Sequence, residues 1–69
     1  LTRKELYNGF TYTFESSDAV LDMINDFVKS ERLCCPFFTF QITIEETVTL
    51  LTITGPNDAK AFLTEEIDL

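Results

Sequence analysis

The 69-residue sequence predicts a small α+β domain, with a three- to four-stranded, mainly antiparallel sheet and two helices on one face. Three observations predict it. Phe10-Thr11-Tyr12-Thr13-Phe14 and Thr39-Phe40-Gln41-Ile42-Thr43-Ile44 alternate with a period of two, as half-buried strands do. Between them, Val20, Met23, Ile24, Phe27 and Val28 recur at helical spacing. Near the end, Ala59, Phe62, Leu63 and Ile67 repeat that helical stripe, with Glu66 at its frayed edge. The order is strand or hairpin, helix, strand, strand, helix. A ferredoxin-like split arrangement is the nearest common architecture, one strand short.

Asn8-Gly9 is a strong short hairpin signal at the entry to the first alternating run. The Arg3–Tyr7 segment is either its short partner or a leading turn. Ser16-Ser17-Asp18 reads as a helix start, because a hydroxyl or carboxylate there caps free N–H groups. Asp18 and Asp22 suit the positive end of the helix dipole. The helix is predicted over about 18–34 and ends before Pro36, whose ring disfavours helical backbone at Cys35. Glu45-Glu46 marks a tight reversal. In the run from Thr47 to Thr54 the pattern slips between Val48/Leu50 and Leu51/Ile53, which predicts a bulge or cover on both faces. Gly55-Pro56-Asn57-Asp58 is a turn into the last helix.

Composition bounds the function. With 45% hydrophobic residues the chain is globular, and its seven phenylalanines predict an aromatic core in one domain spanning residues 1–69. Five basic against twelve acidic residues give a charge of -7, which argues against nucleic acid and against an anionic membrane surface. No stretch approaches the roughly 20 apolar residues of a spanning helix. With no export signal visible, a reducing cytoplasm is the expected location. The threonine-rich sheet face is left to water or to a second subunit, so a homodimer through a sheet face or edge is open to the chain.

Chemistry concentrates in Glu31-Arg32-Leu33-Cys34-Cys35-Pro36-Phe37-Phe38, which holds both cysteines of a chain without histidine. Glu31 follows Phe27 by four residues and Ile24 by seven, so it falls in line with the apolar stripe. Cys34 and Cys35 follow by three and four, which stacks one carboxylate and two sulfurs on one side of a helix end. A carboxylate in that line needs a partner, for which Arg3, Lys4 and the Tyr7 and Tyr12 hydroxyls are candidates. Three chemistries compete. The thiolates with Glu31 could hold a soft metal or metalloid ion such as Cu(I), Hg(II) or As(III). The pair could cycle through a strained vicinal disulfide. One thiolate could be a nucleophile, although a helix C-terminus disfavours it and no histidine serves as base. The alternative is a non-enzymatic structural or interaction domain, with both cysteines as small buried hydrophobes against Phe37 and Phe38. Asp18, Asp22 and Asp26 form an acidic helix edge that reads as a solvated face.

The Glu31-Arg32-x-Cys34-Cys35-Pro36-Phe37-Phe38-x-Phe40 segment, then Leu51-Thr52-Ile53-Thr54-Gly55-Pro56 and Lys60-x-Phe62-Leu63, resembles a group of small bacterial proteins. These carry an E-R-x-C-C-P-F segment and a later L-T-G-P turn, here stretched. The resemblance implies a fold and a site at Glu31, Cys34 and Cys35, without implying a reaction.

Overall fold

The computed structural model describes residues 2–56. Five elements follow in order: β1 (Thr2–Leu6), β2 (Gly9–Glu15), α1 (Asp18–Cys34), β3 (Thr39–Ile44) and β4 (Val48–Thr54). The strands form one sheet in the order β1-β2-β4-β3, with every neighbouring pair antiparallel. Because β2 and β3 both run antiparallel to β4, they are parallel to each other with β4 between them. The β2-α1-β3 connection is therefore a split β-α-β unit, to which β1 adds an outer hairpin strand.

This corrects the predicted pair of helices on one face. Among the described residues there is one helix, α1, and the segment around 59–67 lies outside them. Among the described residues, the core beside α1 takes in the loop after it. Cys35 and Phe38 join Ile24 of α1, Phe10, Tyr12 and Phe14 of β2, and Leu51 and Ile53 of β4 in one buried cluster.

The hairpin turn is Tyr7-Asn8, with Leu6 paired to Gly9, so Gly9 already belongs to the strand. The register is the one that buries Phe10, Tyr12 and Phe14. Gly9 serves close packing: it pairs with Thr54, and a Cβ there would overlap the Ile53 carbonyl oxygen. The helix starts as its sequence dictates, with the Ser17 hydroxyl accepting from the Val20 N–H at 3.1 Å.

In β4 the predicted bulge is not found. Its register against β2 is unbroken from Val48 to Thr54, and burial alternates strictly, with Thr49, Leu51 and Ile53 inward. The slip in the pattern comes from Thr49, a polar residue that is fully buried. Its hydroxyl lies 2.9 Å from the Ser16 hydroxyl, which also donates to the Glu45 carbonyl at 3.0 Å. That link supplies the hydrogen bond an inward threonine needs, and it ties the β2–α1 junction to the β3–β4 turn. On the opposite face Thr11 and Thr52 are paired through their hydroxyls at 3.1 Å.

Strand β3 departs from its prediction in exposure. Phe40, Ile42 and Ile44 pair with Ile53, Leu51 and Thr49, so they share the core face. Yet Ile42 is 39% and Ile44 62% exposed, and only Phe40 packs at the margin of the core. The buried cluster lies over β2 and β4 and stops short of this edge.

Candidate functional site

The predicted site sits at the end of α1. The Cys35 N–H donates to the Glu31 carbonyl at 2.7 Å and closes the last turn. Pro36 has no N–H to continue it, and Cys35 takes φ -128°, ψ 71°, outside the helical region. The Phe38 N–H then donates back to the Cys35 carbonyl at 3.2 Å, which folds the loop under the helix end. This turn rotates the two cysteines apart. Neither cysteine is in a disulfide: Cys34 faces solvent, and Cys35 is 1% exposed within the core. Phe38 packs edge-on against Phe37 and Phe40, with centroids at 4.7 and 6.3 Å, and so builds an aromatic wall in this part of the core.

Helical phase does carry Glu31 inward, where it is half-buried with Oε2 out of contact with solvent. That oxygen accepts no hydrogen bond, so none of the expected partners satisfies it. Tyr7 is 98% exposed, and the Arg3 guanidinium lies over the Phe10 ring, 4.7 Å from its centroid. Among the described residues no group of three His, Cys, Asp or Glu side chains is placed to hold a metal ion. Glu31, Cys34 and Cys35 are thus neighbours at one helix end without forming a ready three-donor set. The acidic edge of Asp18, Asp22 and Asp26 is exposed along α1.

A second buried polar atom, the Tyr12 hydroxyl, also lacks a hydrogen-bond partner. Burial pushes its pKa above the ordinary 10.0. Arg3, opposite Tyr12 across the β1–β2 pair, pulls the other way by charge and by its N–H groups, but it stands outside good hydrogen-bond geometry. A value raised on folding means that the neutral hydroxyl's contribution is complete below the unfolded value and is lost as pH climbs through the folded one. Stability should therefore fall above about pH 10. Tyr12→Phe should remove that part of the alkaline loss and change neutral-pH stability by at most about 1 kcal/mol, since it deletes an unsatisfied hydroxyl. Urea unfolding of both chains from pH 7 to 11 checks this, and identical alkaline limbs would refute it.

Sequence reasoning missed a second region. An apolar cleft lined by Phe14, Met23, Ile24, Phe27 and Leu51 opens between α1 and the sheet, and Met23 on its rim is half exposed. On the same sheet face, β3 leaves Ile42 and Ile44 uncovered. The signal was present in the strand compositions. Edge strand β1 reads Thr-Arg-Lys-Glu-Leu, whereas edge strand β3 reads Thr-Phe-Gln-Ile-Thr-Ile, without charge, proline or glycine. Natural edges are defended by charge or proline, and β3 has neither.

Among the described residues no helix is long and apolar enough to cross a membrane. No family model, curated protein or solved structure matches the chain.

Proposed function

We propose that this chain is a non-enzymatic protein-interaction module that docks through the β3 side of its sheet. One observation carries the reading. Among the described residues, β3 stands at the sheet edge with the composition of an interior strand, and its inward isoleucines are exposed. The two cysteines fit the same reading, one as a core residue and one as a surface thiol. Two cysteines outside any disulfide also fit a reducing, cytoplasmic setting.

The test separates a docking residue from a core residue. Ile44→Ser and Met23→Ser should each shift unfolding free energy by less than about 0.5 kcal/mol in dilute protein, as surface substitutions do. Losses above about 1.5 kcal/mol in both would mean that these side chains are buried by the chain itself, and would end the reading.

A soft-metal or metalloid module using Cys34 and Cys35, with Glu31 alongside, is the second reading. The exposed Cys34 thiol favours it, because an incoming Hg(II), As(III) or Cu(I) ion has an accessible first ligand. Chelation by both sulfurs requires Cys35 to leave the core. A vicinal disulfide makes the same demand, which ranks thiol redox below it.

A further inference from the structure

We infer that the occupant of the β3 edge is a second copy of this chain, added antiparallel and centred on Ile42. This rests on the docking reading above and names its partner. Pairing positions whose numbers sum to 84 puts Ile42 opposite Ile42, Phe40 opposite Ile44 and Gln41 opposite Thr43. Directly opposed residues share a face, so every apolar residue meets an apolar one on the core face, and every polar residue a polar one on the other. Shifting the sum by one would set one isoleucine against a threonine and the other against Gln41. Sums of 82 and 86 also keep apolar against apolar, but only 84 pairs all three apolar residues within the strand, as a two-fold interface centred on Ile42 requires.

Charge points to the same edge. The chain carries -7, so copies repel unless they meet over a neutral surface. β1 presents Arg3, Lys4 and Glu5, whereas β3 presents no charge. Glu45 and Glu46 follow directly on β3, but antiparallel pairing sends the two Glu45 residues to opposite ends. About six residues of strand, roughly 20 Å, separate them, beyond the Debye length of about 8 Å at physiological salt. Both α1 helices then lie on one face of a continuous eight-stranded sheet, twice the four strands of one copy.

Sedimentation equilibrium on the whole chain tests this up to about 100 μM, a range that detects micromolar self-association. The wild type should dimerise. Ile42→Lys and Ile42→Glu should each weaken dimerisation by at least about 100-fold, because each sets like charges face to face. Mixing the two variants should restore a one-to-one dimer, because in this register the opposite charges stand directly opposed. Circular dichroism confirms that the variants fold. If they do not, Gln41→Lys/Thr43→Lys, on the outer face, carries the same repulsion. A monomeric wild type overturns the inference and leaves the edge to another protein. A wild-type dimer that survives both Ile42 variants, or variants that do not recombine, also overturns it. Neither result touches the docking reading, which is decided by the stability of Ile44→Ser and Met23→Ser.

Discussion

A Gly9→Ala chain is expected to lose roughly 2–3 kcal/mol of stability, near the upper end of what overpacking costs. The conflict is with backbone. A Cβ at Gly9 would overlap the Ile53 carbonyl oxygen and lie 2.9 Å from both the Ile53 carbonyl carbon and the Thr54 Cα. A side chain can turn away from such a contact, but two paired central strands cannot. Separating β2 from β4 at this point would pull apart Phe10 and Ile53, which are register partners at 4% and 0% exposure. The entropy that alanine removes from the unfolded chain returns about 0.5–1 kcal/mol, too little to offset the strain. A domain this small has only a few kcal/mol to lose, so the variant should be partly unfolded near body temperature. Urea unfolding against Asn8→Ala isolates the effect, because Asn8 is exposed in the turn. A loss under about 0.5 kcal/mol for Gly9→Ala would mean that the strands do not approach this closely.

Gly9 also shows what the sequence made legible. Asn8-Gly9 correctly announced a hairpin, but glycine's reason for being there is its pairing with Thr54 and the Ile53 carbonyl, about 45 residues away, which no local pattern encodes. The helix was legible at both ends, because a serine cap and a proline stop are local chemistry. Thr49 misled the reading of β4 because an inward hydroxyl needs a partner, and Ser16 is remote in sequence. Alternation put Phe40, Ile42 and Ile44 on one face of β3, which is the core face, but alternation does not tell what covers a face, and Ile42 and Ile44 are exposed. The site suffered from the same limit. Helical phase put Glu31, Cys34 and Cys35 on one side, but phase continues only as long as the helix does. Cys35 is the cap, and the turn at Pro36 redirects it inward.

That one-residue difference predicts a large contrast between adjacent thiols. Cys34 should react with a thiol reagent as an exposed cysteine does, whereas Cys35 should react only when the loop or the domain opens. For an opening free energy of about 4 kcal/mol the ratio is on the order of 1,000-fold, readable by mass spectrometry of native protein. Cys34→Ser should leave stability within about 0.5 kcal/mol, while Cys35→Ser should cost roughly 2–3 kcal/mol, because it replaces a buried sulfur with a smaller, more strongly hydrated hydroxyl inside the apolar core cluster. The sign of an ion's effect then decides between the readings of the cysteine pair. An ion held by both sulfurs in the native fold would raise the unfolding temperature. An ion that needs Cys35 drawn out of the core binds the opened chain better, and must lower it. The burial of Cys35 predicts a lowered Tm with Hg(II) or As(III), abolished in Cys35→Ser. A raised Tm together with comparable labelling of the two thiols would restore Glu31, Cys34 and Cys35 as a resident soft-ion site.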